Sequence, residues 1–439
     1  VTPSALFALT ERLTAGLRGN EILFCSLAGE DSDFVRLNQN RIRQAGHVRR
    51  RNLDLRLISG SRQVRGHCDL AGDPEEDLRV ATRLVDSLRE RLAHVPEDPY
   101  LDYARNPTTS TRSEGRQLPD PARAVGELIT EADGLDLVGI WASGELYHGL
   151  ASSLGHRHWH QNASFNVDWS CYLSRDKALK AGYSGFTWDP ARVREKLDGV
   201  RRGLELLQRP ARILAPGLYR AYLAPEAVRE LMDMLAWSGF GLKSHRTAQT
   251  PLLRMIRGER RFDPRISIHE HHARGIAPGF TAEGFLKPEQ VTLIYEGTYQ
   301  YCLVDARSGK EYGVRVNAGA SQPESLAVDA GNMPADEALG RLGTGLYIGN
   351  LWYLNYSDRN DCRVTGMTRF GTFWVEDGEV VGPVDVMRFD DSLYHLLGDR
   401  LEGLTREREL ILSAGTYDGR STASYLLPGI LVSGIELIL

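Results

Sequence analysis

Apolar and polar positions along the chain switch between two periods, and each switch marks an element. Leu6, Leu9, Leu13 and Leu17 recur at helical spacing behind Thr2 and Pro3, a cap and a first-turn proline, and EILFCSL then reads as a strand. In NLDLRLIS, Leu53, Leu55 and Leu57 alternate with Asp54 and Arg56, which predicts a half-buried antiparallel sheet with a basic, solvated polar face. DPEEDLRVATRLVDSLRERL is the clearest helix: Asp73 caps it, Pro74 opens it, acids fill its first turn, and Leu78, Ala81, Leu84, Val85, Leu88 and Leu92 form the stripe that covers the sheet. Residues 94–118 are polar and rich in proline, serine and threonine, which predicts a loop or strap, and Asp120 with Pro121 restarts a helix through Ile129.

In NASFNVDWSCYL, Ala163, Phe165, Val167, Trp169, Cys171 and Leu173 alternate with Ser164, Asn166, Asp168, Ser170 and Tyr172. Such a strand floors a polar cavity or faces water. Asp189 and Pro190 open a helix with Val193, Leu197, Val200, Leu204 and Leu207 on one face, and QRPARILAPG reads as a linker, so the chain divides into domains at 1–209 and 210–439. Beyond it, AYLAPEAVRELMDML turns a short apolar run into a helix with Ala227, Leu231, Met234 and Leu235 on its buried stripe. Strands follow: VTLIYEGTYQYCLVD with a hairpin at Glu296 and Gly297, GTGLYIGNLWYLNYS as one aromatic strand, and FGTFWVEDGEVVGPVDV with a hairpin at Asp377 and Gly378. Residues 389–401 read as one more helix, and YLLPGILVSGIELIL as a buried strand broken at Pro428 and Gly429. The whole is α+β: two domains, antiparallel sheets with covering helices, the second half strand-rich.

Composition narrows the partners. A formal net charge of -5 and 439 residues that are 42% hydrophobic describe a globular chain with no broad attraction to nucleic acid or anionic lipid. Five cysteines without a CxxC pair fit a reducing compartment, no run reaches the length of a spanning helix, and VTPSALFALTERL reads as a capped helix rather than an export signal, so the expected location is the cytoplasm. No GxSxG elbow is present, and Gly343, Gly345 and Gly349 lack the spacing and following helix of a nucleotide loop.

The order of pieces resembles the TldD/PmbA family, a two-subunit metallopeptidase system with a catalytic member, TldD, and a partner, TldE or PmbA. The likeness is carried by the N-terminal meander, SSLGHRHWHQNASFNVDWSCYLS, APGLYRAYLAPEAVRELMDMLAWSGFG, GLYIGN, GTFWVEDGEVVGPV and DDSLYHLLGDRL. In the catalytic member the helix at this place carries HExxxH, and a distant downstream cysteine completes a zinc site. Here Pro225 and Glu230 stand where the two histidines would be, only Glu226 matches, and no cysteine follows Cys362. Proline has no donor atom, and a glutamate base needs a metal-polarised water to act on. The resemblance therefore implies a TldE-like subunit with no catalytic residue, metal or cofactor of its own, paired with a TldD-like subunit that holds the zinc. It also implies unfolded or short peptides as substrates, for which Asn166, Asp168, Tyr347 and Asn350 on the two polar or aromatic strands are the candidate wall.

Two histidine clusters support other readings. His156, His158 and His160 project from one face of a strand, a spacing that puts two imidazoles on one metal or lines a polar cavity. His269 and His271 would share one strand face, with Glu270 and His272 on the other. A rearranged metal site from these residues would make the chain an autonomous hydrolase. A third reading is a homodimeric peptide-binding protein without catalysis.

Overall fold

The Thr2 hydroxyl accepts from the Ala5 N–H and Asp73 accepts from Glu75 and Glu76, so the first two helices start where the caps predict. The computed structural model describes residues 2–114, 118–174, 177–417 and 419–438. The first half runs α1 (Pro3–Thr14), β1 (Ile22–Asn38), β2 (Arg41–Ser59), β3 (Arg62–Asp69), α2 (Pro74–Leu92), β4 (Thr109–Glu114), α3 (Pro121–Glu131), β5 (Asp136–Ser152), β6 (Arg157–Ser174), β7 (Lys177–Gly185) and α4 (Pro190–Leu207). Its strands make a single sheet ordered β3-β2-β1-β5-β6, and β6 gives its outer edge to β4 over Arg157–Asn162 and to β7 over Phe165–Ser174. Gln39 and Asn40, both at positive φ, close the long β1/β2 hairpin.

All four helices cover one face of this sheet. Leu6, Leu9 and Leu13 of α1 and Val85 and Leu88 of α2 pack on Leu23, Leu53, Leu55 and Leu57, while α3 and α4 pack on Trp141, Phe165, Val167 and Trp169. The other face meets the second half of the chain. Arg56, expected in solvent, is 4% exposed there, its guanidinium bonded to Gln63 and facing Glu283 at 3.5 Å, because residues 98–104 and 280–283 fold over it. The strap is not all loop either: six of its residues form β4, parallel to β6.

The second half runs β8 (Gly217–Leu223), α5 (Pro225–Ala236), β9 (Ile268–Glu270), β10 (Val291–Tyr295), β11 (Thr298–Tyr299), β12 (Ser325–Val328), β13 (Gly345–Ile348), β14 (Trp352–Asp358), β15 (Arg363–Met367), β16 (Thr372–Glu376), β17 (Glu379–Pro383), β18 (Arg388–Ser392), β19 (Leu401–Leu412) and β20 (Ser424–Leu437), with short helical turns between. These strands form a second sheet in which β20 pairs with β8, β12, β18 and β19. Ala227, Val228, Leu231, Met232, Met234 and Leu235 of α5 enter its core. Both glycine hairpins are as expected, with Glu296, Gly297, Asp377 and Gly378 at positive φ.

Three expectations change. GTGLYIGNLWYLNYS is two strands: β13 lies between β8 and β16, whereas β14 leaves for β15, because residues 349–351 redirect the chain. Of residues 389–401, only 393–399 are helical, a short turn that ends in the π-type stretch His395–Asp399, while the start belongs to strand β18. β20 runs through Pro428 unbroken: its missing N–H falls where β19 shifts register, and the Gly429 N–H is taken by the Thr405 hydroxyl.

Candidate functional site

α5 begins at Pro225, whose missing N–H is one that a helix start leaves unpaired in any case. Its apolar stripe is buried, so Glu226, Arg229, Glu230 and Asp233 are forced onto the opposite face at helical spacing. That polar stripe walls a cleft of about 290 Å³ between the two halves of the chain. Asn166 and Asp168 of β6 form its floor, Lys180 to Ser184 of β7 one side, and Glu409 to Leu412 of β19 with Tyr425 of β20 the other.

Arg229 organises the charges. Its Nε is 3.3 Å from Glu226 Oε2, and its two terminal nitrogens donate to Glu230 and Asp233; Asp233 also accepts from the Tyr425 hydroxyl. Burial works against the Arg229 charge, but Glu230, Asp233 and Glu226 outweigh it and its pKa is raised. Burial likewise raises the pKa of Glu226 and of Glu230, with Arg229 opposing in both cases. Outside this cluster Lys180 pairs with Asp168 at 3.3 Å and Lys196 with Glu409 at 2.5 Å.

A zinc ion does not fit this donor set. Pro225 offers no ligand atom, and the three carboxylates that remain are already paired with a guanidinium in their midst. Cys362 sits in the apolar core with Tyr394, where burial pushes its thiol pKa up, far from thiolate character.

Asn166 and Asp168 thus reach the cleft together with Glu226. Glu230 stands beside it through Arg229. Tyr347 packs instead against Tyr222 and Phe373, at 5.9 and 6.4 Å, and Asn350 lies behind the wall with its amide nitrogen 3.4 Å from the Lys180 carbonyl. The sequence reading passed over Arg229, Asp233, Lys180, Glu409 and Tyr425. The first two were visible as the polar i, i+3, i+4, i+7 companion of the apolar stripe.

His156, His158 and His160 do share one face of the first sheet. His156 contacts the Thr108 hydroxyl at 3.0 Å and the Ala104 carbonyl at 2.8 Å, His158 bridges Thr108 and Ser110 and stacks on Phe280, and His160 Nε2 donates to the Ile276 carbonyl at 3.0 Å. Burial pushes the pKa of His158 and of His160 down to about 4. The second cluster is not one strand: β9 ends at Glu270, leaving His271 and His272 in the following turn. His269 contacts Gln290 at 2.8 Å and Asp329 at 3.2 Å, and His271 binds Ser325 through its backbone. Among the described residues, only His272 of the six lies within ligand reach of two carboxylates.

Two mixed sheets frame a cleft at the start of a helix that carries a glutamate among charged partners. Residues 216–438 match the family model described as PmbA/TldA metallopeptidase C-terminal domain. The chain belongs to the TldD/PmbA family. No curated protein matches it in sequence. Among solved structures it resembles TldE from Thermococcus kodakarensis, with a TM-score of 0.77 and 14% identity over 99% of both chains. A proposed modulator of DNA gyrase from Thermotoga maritima is similar with a TM-score of 0.77 and 14% identity, over 98% of this chain and 99% of that one. One from Bacteroides thetaiotaomicron has a TM-score of 0.74 and 14% identity, over 99% and 98%. At that identity the likeness is one of fold.

Proposed function

We propose that this protein is a TldE-like, non-catalytic subunit that pairs with a zinc-bearing TldD-like subunit in the cytoplasm, the two acting on unfolded or short peptides. The observation that carries this reading is Arg229. A guanidinium bonded to Glu226, Glu230 and Asp233 holds the place where a metal would need open carboxylate and imidazole donors. Two features support a peptide as the occupant of the cleft. Strands β7 and β19 flank it, bridged by the Ser184 hydroxyl to the Leu410 carbonyl and the Leu412 N–H rather than by a ladder among the described residues, and the side-chain nitrogen of Asn166, a residue 3% exposed, has no hydrogen-bond partner among them. An extended backbone carbonyl supplies the acceptor that the Asn166 amide lacks.

The test uses this chain mixed with a TldD-like partner and a short unstructured peptide. Glu226→Gln leaves cleavage by the mixture within about twofold of wild type, since the water-activating base lies in the partner. A loss of about a hundredfold with assembly intact, on the scale of removing a general base, would sink the reading.

A further inference from the structure

We propose that Glu270, His272 and Glu324 form a binding site for one zinc ion, separate from the cleft at α5 and holding the second half of the chain together rather than catalysing a reaction.

His272 carries the argument. It is 4% exposed, and its Nδ1 lies 3.1 Å from the Pro288 carbonyl oxygen. A carbonyl only accepts, so Nδ1 bears a proton there, and Nε2 is the ring atom left to face the carboxylate. That Nε2 has no hydrogen-bond partner, yet it stands 3.1 Å from Glu270 Oε1. Glu270 is 1% exposed and has no freedom to turn away, because both its oxygens accept the backbone N–H groups of Glu324 and Ser325 at 3.0–3.1 Å. The two atoms face each other in a buried place at a contact distance but without hydrogen-bond geometry, an arrangement that a cation between them, proton or metal, stabilises. Their separation is close to the ~3.3 Å edge of a tetrahedron drawn around zinc at roughly 2.0–2.1 Å.

The surroundings have the features of a metal site. The imidazole's other nitrogen is fixed by a backbone carbonyl and the carboxylate by backbone amides, which is how metal ligands are oriented. Ligand atoms of Glu270, His272 and Glu324 all lie within 4.8 Å of one another. One imidazole nitrogen and two carboxylate oxygens suit zinc, with a fourth position open to water. Glu324 is the movable arm: its side chain is 31% exposed and lines a cleft of about 450 Å³ together with Lys287. Its present partner is the ammonium of Lys287, 2% exposed, a cation that neutralises it until the metal replaces that contact. A bound ion would tie the turn after β9 to the start of β12.

The experiment measures zinc binding to the full chain, stripped with EDTA, by competition with a chromogenic chelator, with cobalt absorption as a report of geometry. One zinc per chain at sub-micromolar Kd is expected, with a cobalt spectrum of tetrahedral intensity. His272→Gln and Glu324→Gln should each weaken binding by about a hundredfold or more, at or above the loss for disturbing a ligand's orientation. Lys287→Met should tighten it several-fold by removing the competing cation, and Glu226→Gln should leave it unchanged. Glu324 is partly exposed, so its variant keeps the fold, checked by its metal-free melting temperature. The absence of stoichiometric zinc, its retention in both ligand variants, or its loss in Glu226→Gln would overturn the site.

Discussion

Arg229 is the residue on which the α5 cleft depends. Three carboxylates within about two helical turns repel each other, and the guanidinium in their midst favours their ionised forms against burial. Arg229→Met keeps the stem and removes the charge. Because these side chains are between 21% and 37% exposed, water screens part of the loss, and we expect a destabilisation of about 2 kcal/mol at pH 7.5, below that of a fully buried pair. The sign with pH follows from the raised pKa values of Glu226 and Glu230, which take up protons first as pH falls and relieve the repulsion. Urea unfolding at pH 7.5 and 5 checks this: the deficit of the variant should shrink at the lower pH, and a constant deficit would point to lost packing alone.

β6 is the seam between the halves of the chain. One face feeds Trp159, Phe165, Val167 and Trp169 to the helices, and the other presents, in order, the histidines, Ser164, and then Asn166 and Asp168 of the cleft. Burial holds the folded-state pKa of His148, His158 and His160 down to about 4, against about 6.5 in an unfolded chain. Between those values the unfolded chain binds more protons, so the stability these neutral rings contribute is complete above about pH 6.5 and is lost as pH falls toward 4. Replacing His158 by Gln, which can still bond Ser110, should reduce the slope of unfolding free energy against pH in that window by close to one proton, or about 1.4 kcal/mol per pH unit. Denaturant titrations at pH 7, 6 and 5 measure that slope, and an unaltered slope would mean that the ring is protonated in the fold. The alternation in β6 was legible because every second residue over twelve positions is apolar. The residues of β18 read as the start of the helix because a short apolar run fits either period, and pairing with β15 makes them a strand instead.

At the scale of the molecule, the two sheets are joined by more than the linker at residues 208–216. The loop after β19 returns to the first sheet, where Arg420 donates to the Ser164 carbonyl at 2.9 Å, the Ser164 hydroxyl at 2.8 Å and the Gly144 carbonyl at 3.2 Å, while its own N–H reaches Glu30 at 3.1 Å. Arg420→Met removes the side-chain bonds and leaves those acceptors half-buried. We expect a loss of about 1–3 kcal/mol and faster hydrogen exchange at residues 413–417 and in the cleft strands β7 and β19. Exchange unchanged there would show that the loop is held by something other than this arginine.

The sequence by itself determined the local elements with strong periods and caps: α1, α2, α4, α5, the turns at Glu296–Gly297 and Asp377–Gly378, and the two-faced strand β6. It also fixes that proline and glutamate, not histidines, stand at residues 225 and 230, since that rests on residue identity alone. Those properties are set by neighbours within a few residues, where propensity and spacing act. Only the tertiary structure decided which polar faces are solvated, that Arg56 is buried, that Arg229 gathers three acids, and that His272 faces Glu270 across from Glu324. Such facts depend on segments tens to hundreds of residues apart arriving at one place, and no local pattern encodes the arrival.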